Sequence, residues 1–475
     1  MSLYLGMDLG TTNVKVLAVD ESGRVVAEGS APVDRFVTAD GGVEQDIEQI
    51  WQAVLASLRQ ASESADITRV KALGVSSQGG AIQLLDDASR PVGRVISWLD
   101  GRGGPDDETL TAELGEAFFA QHTGHCTSAI TPGQILRLRR TSPSVLEQGP
   151  NIGYVGDCIV ERLCGTRAHD PTSLSIAMLL NPSLGGPDPE LLGRLGIEET
   201  RLPVLLAADE AAGGLLRSVA EKTGLPAGIP VSPAVHDQYA AAIGCGCVAP
   251  GDLSLGTGTA WVFIANSAAP APPATRGAFS CPHPVEGVYG QMLSMVNGGS
   301  AVQWAVDVTG GNGSLSAIDA AIESVPVGSD GLRCVPLFVP SRLAGTTQAR
   351  LEGLTLAHGP RHVLRAVVEG LACELARHLE MLSEAGIPTE RVVMSGTAAE
   401  SRVTPAILAD TTGCIVSRVE TASTSILGAA IVARAIVDRE KSLAEWSRAL
   451  APAGTPIEPG KNRQQYRAIY QEYRV

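Results

Sequence analysis

The sequence predicts an α/β protein built from two lobes of related architecture. From the N-terminus, its apolar patterns read strand, turn, strand, turn, strand, helix, strand, which is the layout of a mixed sheet covered by helices. The strand, Gly/Thr turn, strand pattern of residues 3–19 returns at residues 252–264. The length of 475 residues also exceeds one ordinary core, because domains usually run to roughly 100–200 residues. We therefore expect a cleft between two lobes.

Each early element of the first lobe has its own signal. The apolar runs Leu3–Met7 and Val14–Val19 flank a Gly/Thr turn and predict two neighbouring strands. Asp46 suits a helix N-cap, and the apolar residues at positions 47, 50, 51, 54, 55 and 58 share one helical face. Val70–Val75 predicts the strand after this helix. These elements give a sheet and its first covering helix.

The boundary between the lobes is expected after a later strand and helix. Ile229–Val235 has the pattern of a buried strand, and Asp237–Ile243 that of the helix following it. We place the first lobe at residues 1–245 and the second at residues 246–475. In the second lobe the patterns predict a helix, a strand and a small-residue helix in turn, at Arg361–Ala385, Val392–Met394 and Ser425–Ile436.

Composition excludes several classes of function. The formal net charge of -15 and the lack of a Lys/Arg cluster are not those of a nucleic-acid-binding surface. Nine cysteines without regular spacing do not suggest a disulfide framework, and Cys245 with Cys247 lacks the second pair that zinc requires. There is no basic leader and no stretch of about 20 apolar residues. We therefore expect a cytoplasmic protein without a membrane partner.

The first Gly/Thr turn carries groups that suit phosphate. Backbone N–H groups of such turns converge on phosphate oxygens, glycine permits close approach, and threonine hydroxyls and a lysine add donors and charge. The aspartate that ends the preceding strand is placed to hold Mg²⁺, directly or through water. For this motif alone, an ordinary hairpin turn is the alternative. The run is Asp8-Leu9-Gly10-Thr11-Thr12-Asn13-Val14-Lys15.

A second turn, Gly256-Thr257-Gly258-Thr259, repeats this chemistry. Two such turns facing each other would bracket a triphosphate, so the pair is more specific than either turn alone. Neither a G-x-x-x-x-G-K-[ST] loop nor a G-x-G-x-x-G fingerprint occurs, which removes the P-loop and dinucleotide-binding folds.

Asp237 is the candidate catalytic residue. It follows a buried strand and opens a helix, where α/β folds commonly expose ligand-binding groups, although an aspartate that only caps the helix is the alternative. The helix N-terminus is expected to lower the pKa of Asp237, which still suits phosphoryl transfer because positioning matters more than basicity. Trp98, Asp100 and Arg102 offer a polyol an aromatic platform, a carboxylate and a guanidinium, or else form a surface loop.

In this order, the motifs resemble the FGGY family of carbohydrate kinases, a branch of the actin and hexokinase superfamily that includes xylulokinase, glycerol kinase and ribulokinase. The resemblance covers nearly the whole chain. It implies a two-lobed actin-like ATPase fold in which each lobe is a ribonuclease-H-like mixed sheet flanked by helices. The matching segments are residues 6–12, 70–75 with Gln78, Trp98 with Asp100 and Arg102, Asp237-Gln238, and residues 255–258, 299–304 and 427–430.

The resemblance also implies a role for each site and, by family habit, a homodimer. Asp237 takes the proton from the sugar hydroxyl, Asp8 and Asp237 place Mg²⁺, and the two turns hold the phosphates of ATP. The implied sugar pocket consists of Gln78, Gly79, Gly80, Trp98, Asp100, Arg102, Asp237 and Gln238. The implied nucleotide site consists of Gly10, Thr11, Thr12, Asn13, Lys15, Gly256, Thr257, Gly258, Thr259, Gly299, Gln303, Gly396 and Thr397.

Three segments depart from the family pattern. Gly79-Gly80 stands where xylulokinases usually show Met-His and glycerol kinases Arg-Glu, so we expect open space there for a larger or differently oriented substrate. The adenosine-binding turn Ser395-Gly396-Thr397-Ala398 keeps one glycine, and Ser341–Gly345 replaces a Gly-Glu-Arg-Thr-Pro-like rim.

A ketopentose such as D-xylulose is the leading expected acceptor, and another ketose or a polyol of the glycerol or ribulose type is the alternative. The competing class is a non-catalytic ATP-binding sensor or filament protein of the same superfamily. An acidic residue at 237 together with the group around Trp98 favours the kinase, because a filament protein needs no polyol pocket.

Overall fold

The structure, a computed structural model, describes residues 2–338, 348–420 and 423–473. The rim segment Ser341–Gly345 therefore lies outside the described residues. The strands of the first half are β1 (Leu3–Leu9), β2 (Asn13–Asp20), β3 (Val25–Pro32), β4 (Phe36–Val37), β5 (Val43–Gln45), β6 (Val70–Ser77), β7 (Ile82–Leu85), β8 (Pro91–Ile96), β9 (Asn151–Tyr154), β10 (Ala168–His169), β11 (Leu180–Asn181), β12 (Gly186–Pro187), β13 (Val204–Leu205), β14 (Gly213–Gly214) and β15 (Pro230–His236). The second half adds β16 (Asp252–Thr257), β17 (Trp261–Ser267), β18 (Phe279–Pro282), β19 (Tyr289–Ser294), β20 (Arg333–Val335), β21 (Arg350–Glu352), β22 (Arg391–Ser395), β23 (Ile415–Arg418) and β24 (Thr455–Ile457).

The helices cover both faces of these sheets. In the first half they are α1 (Ile47–Ser64), α2 (Gly104–Leu114), α3 (Glu116–His122), α4 (Thr131–Thr141), α5 (Pro143–Gln148), α6 (Val155–Cys164), α7 (Pro171–Ile176), α8 (Pro189–Leu195), α9 (Arg217–Thr223) and α10 (Asp237–Gly244). In the second half they are α11 (Gly299–Thr309), α12 (Leu315–Glu323), α13 (Pro360–Glu384), α14 (Thr404–Thr412), α15 (Thr424–Val437), α16 (Leu443–Leu450) and α17 (Arg463–Tyr473). Among the described residues, no helix combines the length and apolar character needed to cross a membrane.

The sheet of the first half is mixed, with the strand order β13-β10-β15-β6-β1-β2-β3. β1, β2 and β3 form an antiparallel meander, whereas β6, β15, β10 and β13 join in parallel. β1 and β6 are almost wholly buried, because the sheet is covered on both faces and such strands are apolar along their whole length. The Asp46 carboxylate caps α1 by accepting the N–H of Glu48, as the sequence predicts.

The sheet of the second half repeats this topology, with the order β18-β19-β17-β16-β22-β23-β24. β16, β17 and β19 are antiparallel neighbours, and β22 and β23 extend the sheet in parallel from β16. β16 and β22 thus correspond to β1 and β6, so the predicted relation between the two lobes is visible strand by strand. The exact boundary between residues 245 and 246 stays a prediction.

Two helices cross between the lobes at glycines. α15 lies on the first sheet, where a Cβ atom on Gly74 would lie 2.7 Å from the carbonyl carbon of Ala429. α15 also packs on α10, where a Cβ atom on Gly428 would lie 2.7 Å from the carbonyl carbon of Ala240. Only hydrogen fits at such positions. Because backbone meets backbone at both points, these contacts fix the position of α15 on the first sheet and against α10.

Candidate active site

The candidate site lies at the carboxyl ends of the adjacent parallel strands β1, β6 and β15. The strand register pairs Asp8 with Ser76, and Ser77 with His236. Asp8, Gln78 and Asp237 therefore come together although they lie far apart in sequence. Carboxyl ends of strands are the common ligand-binding edge of such sheets.

Asp8 is held by hydrogen bonds and a nearby lysine. The hydroxyl of Ser76 donates to its Oδ1 atom at 2.6 Å, and Lys15 faces it across the β1–β2 ladder. Burial raises the pKa of Asp8 to about 6, helped by the charge of Asp237, while Ser76, Lys15 and Ser425 act in the opposite direction. Since the carboxylate of Asp237 contributes to this shift, the two acidic groups share one electrostatic environment.

Asp237 is the first residue of α10, and His236, not the aspartate, is the N-cap. About 30% of the Asp237 side chain is exposed. The expectation of a lowered pKa is wrong, because burial raises the pKa of Asp237 to about 6 and outweighs its hydrogen bonds to Gln238. A carboxylate with this pKa is ionised at neutral pH and accepts a proton more readily than an ordinary aspartate.

His236 is a site residue that the sequence reasoning missed, although it adjoins Asp237. Its Nδ1 atom accepts the backbone N–H of Gln238 at 3.3 Å and lies 3.5 Å from Oδ1 of Asp237. Burial lowers the pKa of His236 to about 4, so the ring is neutral at pH 7 and the approach to Asp237 is not an ion pair. A histidine next to a predicted catalytic aspartate, at the end of a buried strand, was the available signal.

Thr11 joins the first turn to the predicted sugar pocket. Its hydroxyl donates to Oε1 of Gln78 at 3.2 Å and accepts the indole N–H of Trp98 at 3.1 Å. Gln78 is buried, whereas half of Trp98 is exposed. The structure thus places Thr11, predicted for the nucleotide, in side-chain contact with two residues predicted for the sugar. Its carbonyl accepts the amide of Gln45, which leaves its backbone N–H as the group for phosphate.

The space expected at Gly79-Gly80 is occupied. A Cβ atom on Gly79 would lie 2.7 Å from Nε2 of His236 and 2.9 Å from Cγ2 of Ile176. Gly80 has a φ of +70°, and its Cβ atom would lie 2.6 Å from Cγ2 of Ile130. The expectation of an open volume for a larger substrate is therefore wrong, because side chains from other elements fill it.

The prediction that Asp100 and Arg102 contact the sugar directly is also corrected. The Asp100 side chain has no exposed surface and binds the N–H groups of Val43 and Arg102, the Arg102 guanidinium and the amide of Gln134. The guanidinium of Arg102 is shared among Asp100, Asp40 and Glu44. Because these groups satisfy one another, the pair fixes the loop that carries Trp98 and has no free donor or acceptor for a sugar.

The remaining groups of the first turn lie at its tip. Gly10 donates its N–H to the carbonyl of Asn13 at 3.1 Å and closes the turn. Thr12 and Lys15 are exposed, and the amide of Asn13 donates to the Thr12 hydroxyl. The tip therefore presents polar groups and one positive charge beside Asp8, as phosphate binding requires.

The second turn is tied to the predicted adenosine-binding turn. The hydroxyl of Thr257 donates to the carbonyl of Ser395 at 2.6 Å and accepts the N–H of Ala398 at 3.2 Å. Gly396 has a φ of +89°, which a side chain disfavours, and its Cβ atom would lie 3.1 Å from the Thr257 carbonyl oxygen. Thr397, the next residue, is exposed. Thr257 thus supports the turn through its side chain instead of offering its hydroxyl to a nucleotide.

The N-terminus of α11 rests on the same second turn. The N–H groups of Gly299 and Ser300 donate to the carbonyls of Gly258 and Thr259, each at 3.0 Å. Gly299 lies close enough that a Cβ atom would be 2.7 Å from the Gly258 oxygen. On the exposed face of α11, the amide of Gln303 donates to Asp307, its neighbour one turn on.

Gln238 contacts the second turn. It follows Asp237, and its Oε1 atom lies 3.7 Å from the position of a Cβ atom on Gly256. The second turn is therefore in contact with the residue next to the candidate catalytic carboxylate, and Asp237 in turn influences Asp8 beside the first turn. That the two turns bracket a triphosphate stays a prediction.

Family models match both halves of the chain. The N-terminal domain of the FGGY family of carbohydrate kinases matches residues 3–244, and its C-terminal domain matches residues 252–436. The chain belongs to the FGGY family of carbohydrate kinases. This FGGY kinase is therefore a phosphotransferase that acts on a sugar or polyol. The predicted family, enzyme class and use of ATP are confirmed.

Similar proteins cover nearly the whole kinase. The xylulose kinase of Escherichia coli (strain K12) is 29% identical over 448 residues, which span 93% of this chain and 92% of that protein. The glycerol kinase of Agrobacterium fabrum is 29% identical over 467 residues, which span 94% and 92%. The crystal structure of xylulose kinase from Rhodospirillum rubrum matches with a TM-score of 0.93 at 27% identity, over 99% of this chain and 97% of that chain. The predicted two-lobed actin-like fold is thereby confirmed.

Proposed function

We propose that this kinase transfers the γ-phosphoryl group of ATP to a hydroxyl of a ketopentose such as D-xylulose. The observation that carries the proposal is the likeness to xylulose kinases in both sequence and fold over nearly the full length. A glycerol kinase with the same sequence identity of 29% supports a polyol acceptor as the second candidate. A non-catalytic sensor or filament protein is disfavoured because both domains are those of a kinase family. A homodimer and a cytoplasmic location stay predictions.

Asp237 is proposed as the residue that accepts the proton of the attacking hydroxyl. Its carboxylate is partly exposed at the cleft, and its raised pKa of about 6 leaves it ionised at neutral pH. Phosphoryl transfer depends chiefly on in-line positioning and charge compensation, so a base of this strength is sufficient. The hydroxyl would be oriented by Asp237 on one side and by the pocket of Gln78 and Trp98 on the other.

Asp8 and Asp237 are the proposed ligands of Mg²⁺. Two carboxylates that share one environment fit a cation that binds one or two carboxylates and completes its shell with water and phosphate oxygens. In the described part of the chain, no cluster of three or more His, Cys, Asp or Glu side chains offers a protein-only metal site. When bound, Mg²⁺ would neutralise charge on the β- and γ-phosphates.

The phosphates are proposed to lie between the two turns, at Gly10, Thr12, Asn13 and Lys15 on one side and Gly258 and Thr259 on the other. The exposed tips of both turns support this placement. Gly299, Gln303, Gly396 and Thr397 are proposed to border the nucleoside, since α11 and the 395–398 turn are both fastened to the second turn. Closure of the lobes would exclude water and so limit hydrolysis of ATP.

The test is coupled ADP release with Mg·ATP against ketopentoses, aldoses, ketohexoses and polyols. We expect the wild type to turn over D-xylulose fastest. A preference for glycerol or a hexose would contradict the proposed substrate. Asp237→Asn should lose at least about 10³-fold in kcat while still binding ADP in calorimetry. Asp87→Asn is the matched control, since Asp87 is an exposed carboxylate paired with Arg201. Loss of ADP binding in Asp237→Asn would refute the assignment of the base.

A further inference from the structure

The imidazole of His236 occupies the place that a side chain at position 79 would take. A Cβ atom on Gly79 would lie 2.7 Å from Nε2 of His236 and nearer still to its Cδ2 atom. The same glycine is walled on another side by Ile176, 2.9 Å from that Cβ position. The Nε2 edge of the ring thus lies along the backbone of Gly79, in the segment that follows Gln78 in the sugar pocket.

The hydrogen bonds of the ring decide which nitrogen carries the proton. Nδ1 accepts the N–H of Gln238, so it carries no hydrogen, and since a histidine ring carries at least one N–H, that hydrogen lies on Nε2. In the described residues, Nε2 of His236 has no hydrogen-bond partner, yet it is not enclosed as the orphaned Nε2 atoms of His169 and His283 are. The His236 side chain is only 6% exposed, and in the described residues its Nε2–H is a donor without a partner next to Asp237.

The protein backbone behind His236 is firmly fixed. The N–H of His236 donates to the hydroxyl of Thr172 at 3.1 Å, and that hydroxyl donates to Oδ1 of the buried Asp170 at 2.5 Å. The ring itself is 6.2 Å from the ring of Tyr239, edge to face. Such support holds a side chain in one orientation, which is what recognition of a small polar substrate requires.

We propose that His236 binds the acceptor sugar, its Nε2–H donating to a sugar oxygen beside the hydroxyl that is phosphorylated, and that Gly79 is the residue that makes room for it. Asp237 accepts a proton from the substrate, and His236 supplies the complementary donor from the preceding residue. The pair therefore fits a compound with oxygens on neighbouring carbons, as in a sugar or polyol. This proposal rests on the kinase function proposed above, but not on the choice of D-xylulose.

Two substitutions at His236 separate its two nitrogens. Asn at this position keeps an acceptor for the N–H of Gln238 and removes the Nε2 donor, whereas Gln extends an N–H donor toward the Nε2 position. His236→Asn should raise the KM for the acceptor about tenfold, with a smaller change in kcat and an ADP affinity within about twofold of wild type. His236→Gln should recover part of that loss. Gly79→Ala, which displaces the ring, should raise the acceptor KM as His236→Asn does.

The measurements are steady-state kinetics with the acceptor that wild type prefers in the panel, calorimetric titration with D-xylulose in the presence of ADP, and thermal unfolding of each variant. An acceptor KM within twofold of wild type in His236→Asn, in a protein that unfolds at the wild-type temperature, overturns the proposal. If the wild type turns over another acceptor and not D-xylulose, only the proposal of D-xylulose as substrate is contradicted. The role of His236 is then tested with that other acceptor. A wild type that binds no acceptor contradicts both proposals.

Discussion

The crossing of α10 and α15 predicts a large effect from one added methyl group. In Gly428→Ala, the new Cβ atom would lie 2.7 Å from the carbonyl carbon of Ala240 and 3.0 Å from the backbone nitrogen of Gly244. Carbon atoms in contact sit about 3.5–4.0 Å apart, so α10 must move by about 1 Å. Overpacking of this kind costs about 1–3 kcal/mol, and here both partners are backbone, which cannot rotate away. The intrinsic gain of Ala over Gly in a helix offsets only about 0.5–1 kcal/mol.

The assay is thermal unfolding of the purified protein, together with kcat. Because backbone cannot yield, we take the upper end of this cost, which leaves a net loss of about 2 kcal/mol. At about 2–4 °C for each kcal/mol in a lobe of this size, Gly428→Ala should lower Tm by about 4–8 °C. Because α10 begins with Asp237 and α15 holds Ser425 beside Asp8, kcat should fall as well. Gly193→Ala is the control: Gly193 lies in α8 with no heavy atom within 4 Å of its Cβ position, and it should raise Tm slightly. A Gly428→Ala protein within 1 °C of wild type would refute the reasoning.

Three further outcomes follow from particular contacts. Thr257→Val removes both hydrogen bonds that tie the second turn to residues 395–398, so the KM for ATP should rise about five- to tenfold in steady-state kinetics while the acceptor KM stays constant; equal rises in both would contradict this. Burial raises the pKa of Asp170 from 3.8 to about 7, so the folded state binds its proton more tightly and stability is lost as pH rises from about 4 to 7. Asp170→Asn should therefore unfold at a higher urea concentration than wild type at about pH 8, but not at about pH 4. A difference that is the same at both pH values would show that titration of Asp170 is not its cause. Arg102→Met leaves the unexposed carboxylate of Asp100 without its cation and should cost about 3 kcal/mol in urea unfolding, part of which Asp100→Asn in the same chain should restore; no recovery would mean that the loss is one of packing.

The main elements could be read from the sequence because their signals are strong and local. β6 and β15 fall within two residues of the predicted strands, and α10, α13 and α15 within one residue of the predicted helices. Buried strands in a doubly covered sheet are apolar along their whole length, and the helices have long one-sided patterns. The meeting of Asp8 with Asp237 was also accessible, because both follow strands whose carboxyl ends meet at one edge of the sheet.

The errors concern tertiary surroundings that no local pattern encodes. The pKa of Asp237 was expected to fall because a helix N-terminus is visible in sequence, whereas the burial that raises it comes from the whole fold. Asp100 and Arg102 are only two residues apart, but the partners that occupy them, Asp40 and Glu44, come from another segment. The space beside Gly79 is filled by His236, which lies more than 150 positions away in sequence. The glycine pair itself could therefore not predict it.

The same small residues that let α10 and α15 cross also determine the electrostatics of the site. α10 delivers Asp237, and α15 delivers Ser425, which hydrogen-bonds Asp8. The charge of Asp237 raises the pKa of Asp8, so the approach of the two carboxylates costs free energy, which a bound cation would offset. Because Gly74 and Gly428 set the distance from α15 to the first sheet and to α10, they also set the spacing of the acidic pair. The glycines of this crossing therefore position the two carboxylates of the candidate site.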